Sequence, residues 1–392
     1  MTARGARGSA VAVGPITRVP GTGRVTADVD GEDLWFESAD LTLSPAVEAY
    51  GSALLIPALH QRRPLRLPAA ADPAWRANQD RVVATLARWW RYPRWAPMTP
   101  DGASVARPAA PDAAPPERPL GLFFSGGVDS LHCLLRGTRR PDWLITLWGF
   151  DFPLDDAARG AAVERSVRAV AAATGCRLAI VRTNARRHPL IAGTPWERVH
   201  GGILAAVAHL SAPAIPRMMI ASSTPGDQDA PYGSHGSLDP LWSSSRCALL
   251  FEQRGMRRID KLRALAHEPL VRDHLRVCWR NFAPTGNCGR CAKCLLAMLI
   301  LEGEGALASS AVFEGRSELA ARIDALRKAP DREHTFEEAA RVPGLDPQLV
   351  TAVHALIRRS RRSRRFDVRL RRAIASWVWA RFRSAGRRAT PA

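Results

Sequence analysis

The sequence predicts an α/β protein whose centre is a parallel sheet with helices on both faces, flanked by a small N-terminal α+β domain and a helical C-terminal extension. Three observations predict it. From Leu120 onward, apolar runs of strand length alternate with stretches whose apolar residues recur at helical spacing. The runs are short and apolar, as strands buried on both faces of a parallel sheet must be. The first of them, Leu120 to Phe124, stops at a glycine turn behind which a helical pattern begins.

Near the N-terminus, VTADVDGEDLWFE reads as a hairpin, because alternating apolar residues flank an Asp30-Gly31 turn. Helical patterns follow at Pro45 to Gln61 and Pro73 to Arg91, the second N-capped by Asp72 with Pro73 behind it. Residues 1–96 therefore read as a small domain without evident chemistry. Residues 97–119, rich in Pro and Ala and lacking an apolar period, read as a linker. The central domain, 120–305, has strands expected at Leu120–Phe124, Trp143–Phe150, Arg177–Thr183, Arg217–Ala221 and Leu275–Trp279. Its helices are expected at Ser130–Arg136, Asp155–Thr174 and Trp196–Leu210. Ligands on such sheets lie beyond the C-terminal strand ends, which singles out the glycine turn, Asp151, Thr183 with Asn184, and Ser222 with Ser223. Residues 306–392 read as helices ending in an Arg-rich tail.

A chain of 392 residues, 46% of them apolar, can bury a full core, which excludes a disordered protein. The formal charge of +19 is largely local: from Thr351 to Ala392 there are thirteen Arg against one acid, Asp367. Only Lys261, Lys293 and Lys328 are lysines, so the arginine usage is a bias of the whole composition and carries no functional weight. The N-terminus has no apolar stretch of signal-peptide length and no run of 18 apolar residues occurs, so a cytoplasmic protein without a transmembrane segment is expected. Four of the seven cysteines crowd between Cys278 and Cys294, which fits a metal site in a reducing compartment better than a disulfide framework.

The glycine turn is the most specific local signal. In LGLFFSGGVDSLHCLL two glycines let the backbone approach a ligand, and the helix N-terminus behind them offers N–H groups and a positive dipole end to a phosphate. No lysine follows as in G-x-x-x-x-G-K-[ST]. S-G-G-x-D-S after a strand, Ser125 to Ser130, instead resembles the PP-loop of the N-type ATP pyrophosphatases, which have a Rossmann-like sheet and cleave ATP between the α and β phosphates. The resemblance implies that Ser125, Gly126, Gly127 and Ser130 hold the departing pyrophosphate, that Asp129 positions Mg²⁺, and that Asp129 and Ser130 serve catalysis. It also implies that Leu147 to Asp151 and the helix carrying His200, Gly201 and Gly202 lie near ATP, and that Lys261 contacts phosphate.

Cys278, Cys288, Cys291 and Cys294 form C-x9-C-x2-C-x2-C. Two residues between cysteines let a tight turn aim both sulfurs at one ion, which suits Zn²⁺ and, with a different fourth spacing, an iron-sulfur cluster. A PP-loop followed by this pattern is similar to 7-cyano-7-deazaguanine synthase and related nitrile synthases of the queuosine pathway, in which the four cysteines bind zinc. The resemblance covers about Leu120 to Gly303.

Pro231 to Ser245, PYGSHGSLDPLWSSS, is a polar segment in which His235 is a candidate general base and Asp239 a candidate for holding an amine or Mg²⁺. Cys133, Cys176 and Cys247 read as core residues. The tail, with Arg358, Arg359, Arg361, Arg362, Arg364 and Arg365 before the amphipathic RLRRAIASWVWARFRSA, admits nucleic-acid contact, an anionic membrane surface, or a solvated helix. The expected activity is ATP-dependent adenylation of a small-molecule carboxylate or carbonyl, followed by attack of a nitrogen donor to give an amide or nitrile. The alternatives are a PP-loop thiolation enzyme acting on tRNA or a small molecule, and a non-catalytic ATP- or nucleic-acid-binding adaptor.

Overall fold

The computed structural model describes residues 9–100, 118–222, 230–252, 255–283, 286–313, 318–329 and 333–363. The chain forms two compact units, Met1–Lys261 with His274–Gly286, and Leu262–Asp273 with Asn287–Ala392.

The first unit holds the strands β1 (Val11–Ala12), β2 (Thr17–Arg18), β3 (Arg24–Val29), β4 (Glu32–Glu37), β5 (Leu65–Arg66), β6 (Leu120–Phe123), β7 (Trp143–Trp148), β8 (Arg177–Thr183), β9 (Arg217–Ala221) and β10 (Ala248–Glu252). Its helices are α1 (Val47–His60), α2 (Pro73–Trp90), α3 (Val128–Arg136), α4 (Ala157–Thr174), α5 (Pro189–Ala192) and α6 (Trp196–Ser211). The main sheet is mixed, in the order β10-β9-β6-β7-β8-β4-β3-β2. Pairing is parallel from β10 to β8 and antiparallel from β8 to β2. The protein is thus α/β. Within the parallel block the chain begins at β6 and adds β7 and β8 on one side, then β9 and β10 on the other, so the order reverses between β6 and β9.

The hairpin β3–β4 forms on its Asp30-Gly31 turn, where φ is 57° and 90°, the left-handed pair that a two-residue hairpin turn requires. Asp72 caps α2 as expected, accepting from the N–H groups of Ala74 and Trp75. The N-terminal segment is not a separate domain, however. Phe36 and Glu37 of β4 pair with Thr183 and Arg182 of β8, so the hairpin covers an edge that β8 would otherwise leave open. Helix α1 is buried without interruption from Glu48 to Leu59 and packs on α6, close enough that a Cβ at Gly202 would lie 2.4 Å from Ser52 O. A helix with no solvent face needs cover all round, so one core runs through residues on both sides of 97–119. Of the expected linker, residues 101–117 lie outside the described residues; Met98 is hydrogen-bonded to Leu65 and Leu67 through the backbone.

The strand expected at Leu275–Trp279 is also corrected: the segment has no strand, and the fifth parallel strand is β10, the apolar run behind Cys247. Five residues preceded by a polar loop gave too short a period to read as a strand. The helices α7 (Arg258–Ala264) and α8 (Pro269–His274) follow β10. The second unit contains α9 (Ala292–Gly303), α10 (Leu319–Ala325), α11 (Glu333–Ala339) and a helix over 347–363. It therefore begins before residue 306, with the cysteine-bearing α9 as its buried centre. Arg359 pairs with Asp324 at 3.5 Å, and Arg361 pairs with Glu337 and, at 3.8 Å, with Glu333. Part of the expected basic surface is thus spent on acids of its own unit; residues 364–392, including the amphipathic segment, lie outside the described residues. Among the described residues no helix is long and apolar enough to cross a membrane.

Candidate functional site

Strand β6 delivers the chain to the turn Ser125–Gly126–Gly127 at the place where the strand order reverses. Gly126 has φ +72°, a left-handed conformation that costs a residue with a Cβ roughly 1–2 kcal/mol. Gly127 is the N-cap of α3, and no side chain caps that helix. Ser125 Oγ accepts from Gly127 N at 3.3 Å, and Ser130 Oγ donates to Gly127 O at 3.1 Å, so both hydroxyls brace the turn. Leu131 N makes the first helical bond, to Gly127 O. Among the described residues the N–H groups of Val128, Asp129 and Ser130 have no acceptor within the protein, as first-turn amides of a helix require an outside partner.

Charge gathers at the same turn. Asp129 receives Arg258 Nε and Nη2 on one oxygen, at 3.0 and 2.5 Å, and Lys261 Nζ on the other at 3.4 Å. Lys261 is fully buried and also donates to Ser222 O, at the end of β9, at 2.6 Å. Burial pushes the Lys261 ammonium below the ordinary lysine value, against the pull of Asp129. Asp129 in turn holds the Arg258 guanidinium charged. On the other flank, Arg276 donates from Nε to Ser125 O at 3.0 Å and from Nη2 to Asp151 at 3.1 Å, while its backbone N donates to Gly126 O at 2.8 Å. Three cations and two carboxylates therefore surround one glycine turn.

Of the residues expected here, Ser125, Gly126, Gly127, Asp129, Ser130, Lys261, Ser222 and Asp151 are joined by these contacts. Arg258 and Arg276 escaped the sequence reading. Arg258 was legible as the partner three positions before Lys261 on one helical face; Arg276 had no local signal. His200 bonds to Trp196 O through Nδ1 at 3.1 Å and meets Tyr232 with ring centroids 4.7 Å apart, and burial pushes its imidazole below the usual value. Gly201 is explained by packing: a Cβ there would lie 1.9 Å from Gly233 O, where the segment 231–235 crosses α6.

His235 is buried edge-on against Trp89, with centroids 5.0 Å apart, and its Nδ1 accepts from Ser237 N at 3.0 Å. Asp239, fully buried, accepts from Ser234 Oγ at 2.7 Å. Both organise their own loop. Thr183 and Asn184, at the end of β8, fasten the hairpin instead of facing a ligand: Thr183 Oγ1 donates to Trp35 O, and Asn184 accepts from Trp35 N and donates to Asp33 O. Ser223 lies outside the described residues.

The cysteine pattern folds as its spacing requires. Cys291 is the N-cap of α9, which puts Cys294 one turn along the same face, and Gly286 and Gly289 turn the chain at φ 70° and 61°. Cys294 Sγ lies 3.5 Å from Cys291 Sγ and 3.8 Å from Cys288 Sγ, and the Sγ atoms of all four, Cys278 included, lie within 4.8 Å of one another. Four thiolates about 2.3 Å from a tetrahedral ion stand about 3.8 Å apart, so the donor set fits a metal such as zinc. Cys291 N also points to Cys288 Sγ at 3.4 Å, and an amide at a helix start favours the thiolate.

No protein family, curated protein or solved structure matches this chain.

Proposed function

We propose that the protein is an adenylating enzyme of the PP-loop type, built on a Rossmann-like sheet, which cleaves ATP to AMP and pyrophosphate and joins the activated acceptor to a nitrogen nucleophile. The observation that carries this reading is the Ser125–Ser130 turn. It presents three unpartnered amides at a point of strand-order reversal, where ligands of parallel sheets bind, and it is ringed by Arg258, Lys261 and Arg276. The order of the parallel block, counted from its first strand, is 3-2-1-4-5, as in nucleotide-binding doubly wound sheets.

The chemistry follows from charge. An oxygen of the acceptor carboxylate attacks the α-phosphorus and pyrophosphate leaves; the nitrogen nucleophile then attacks the carbonyl and AMP leaves. The first-turn amides and the three cations stabilise the charge on pyrophosphate as it departs, the interaction expected to dominate such a reaction. Phosphate entering the turn competes with Asp129 for Arg258 and Lys261. Both oxygens of Asp129 are engaged by these cations, an arrangement that does not fit a divalent ion held there, so no step is assigned to Mg²⁺. Zinc held by Cys278, Cys288, Cys291 and Cys294 would be structural: four thiolates leave no open position for a substrate.

Sulfur transfer is the weaker reading. The Cys133 thiol is buried, and burial together with Glu252 pushes it up to about 12, too high for a nucleophile at neutral pH. Cys176 precedes β8, at the opposite end of the sheet from the turn. A non-catalytic adaptor would bind ATP without turnover. ATP labelled at the α and γ positions, incubated with deazapurine acids, amino acids and ammonia as candidate partners, separates these readings. AMP and pyrophosphate support the proposal; ADP with phosphate, or binding with no turnover under any partner, refutes it.

A further inference from the structure

At the opposite end of the parallel strands from the glycine turn, where β6 and β9 begin, a cavity of about 650 Å³ is lined by residues from α1, α6 and the segment ahead of β10. This is within the size range of small-ligand sites. Its walls include Pro45, Pro119, Pro213 and Pro216, rigid groups that offer no N–H. Beside Ser244, whose hydroxyl accepts from the N–H groups of Arg246 and Cys247, the lining carries two buried polar side chains, Glu48 and His209, 2% and 4% exposed.

Neither is used up by the protein. Glu48 accepts from Asp72 N at 2.5 Å, and among the described residues its other oxygen has only Arg246 at 3.5 Å, itself an exposed side chain. A carboxylate has about four acceptor positions, and burying it with few partners is costly. His209 meets Trp242 O through Nε2 at 2.8 Å, which makes Nε2 the donor and Nδ1 an acceptor; among the described residues Nδ1 has no partner. Burial pushes the His209 imidazole below its usual value, against the pull of Glu48, so it stays neutral and accepting. Arg118 and Arg246 add positive charge to the lining, and both are exposed.

The geometry points to a second small-molecule site, distinct from the Ser125–Ser130 turn, which takes a free amino acid: its ammonium donates to Glu48 and His209 Nδ1, and its carboxylate meets Arg118 and Arg246. An ammonium satisfies acceptors that the fold leaves open, and the arginines favour a zwitterion over a simple amine.

Calorimetry of the full chain against each of the twenty L-amino acids, with methylammonium and acetate as half-ligands, tests this without any reference to ATP turnover. At least one amino acid should bind, with both half-ligands weaker. Glu48→Gln, losing a charged hydrogen bond, should weaken binding about ten- to hundredfold. Arg246→Ala should also weaken it, with its melting temperature measured alongside, because this exposed side chain is also the partner of buried Glu48 at 3.5 Å. No binding of any amino acid to the wild type, binding unchanged in both variants, or equally tight binding of a half-ligand overturns the proposal.

Discussion

Lys261→Met separates the two things a buried lysine does. In the folded chain Nζ donates to Ser222 O at 2.6 Å and reaches Asp129 Oδ1 at 3.4 Å. Losing a hydrogen bond made by a charged donor costs about 1.5–3 kcal/mol. Against this, the ammonium is fully buried, and its depressed pKa means that desolvation outweighs the attraction of Asp129; methionine, of similar length, removes that penalty. Asp129 is not left stranded, because Arg258 holds its other oxygen at 2.5 and 3.0 Å. Replacing a buried charge by a well-packed apolar group is often neutral or better, so the net stability change should fall within about 1 kcal/mol. Function should respond differently. If Lys261 stabilises the departing pyrophosphate, its loss should cost about 10²–10³ in turnover, the range for removing one preorganised donor. The sign with pH is fixed as well. The folded pKa lies below the unfolded 10.5, so the unfolded state binds more protons in between, and wild-type stability should rise with pH through that window. The variant should lose this slope. Urea unfolding between neutral pH and pH 10, beside pyrophosphate release, makes the measurement. Wild-type turnover in the variant would refute the role given to Lys261, and a stability loss above about 3 kcal/mol would refute the reasoning about desolvation.

Purified protein should carry one zinc per chain by elemental analysis, and Cys291→Ser should lose it with a fall in melting temperature, because a structural zinc contributes its binding energy to folding. Cys133→Ser should leave pyrophosphate release within about twofold of wild type, since a thiol near 12 contributes no thiolate. Gly201→Ala should cost about 1–3 kcal/mol in chemical denaturation, because its Cβ would meet Gly233 O at 1.9 Å and push the 231–235 segment off α6. Asp72, although burial raises its pKa, is held below the usual 3.8 overall by bonds from Ser245, Trp75 and Ala74. The stability it adds is therefore complete above the unfolded value and lost as pH falls through the folded one. Asp72→Asn keeps the cap and should flatten that acid-side loss in unfolding curves at pH 6 and pH 3.

What the sequence by itself determined is what depends on neighbours in the chain. The Asp30-Gly31 turn, the Asp72 cap, the glycine turn opening α3 and the two-residue gaps from Cys288 to Cys291 and from Cys291 to Cys294 are each set within about four residues, the reach of a hairpin turn or one helical turn. Strands β6, β7 and β9 were legible because a strand buried on both faces must be apolar along its length, and β8 through its apolar centre, Leu178 to Val181. Tertiary structure alone decided the rest. The N-terminal hairpin joins β8 because an open sheet edge and an apolar hairpin face satisfy each other across 140 residues or more of chain, as Ile180 N on Asp40 shows. That His235 packs edge-on against Trp89, 146 positions away, is likewise set by the folded chain alone. Arg276 reaches the glycine turn from 151 positions away in the chain with no local period to record the meeting, and Arg258, 129 positions away, was hinted at only by sharing a helical face with Lys261. Charge acts through space, so a site assembled from distant cations becomes visible only when the chain has closed around it.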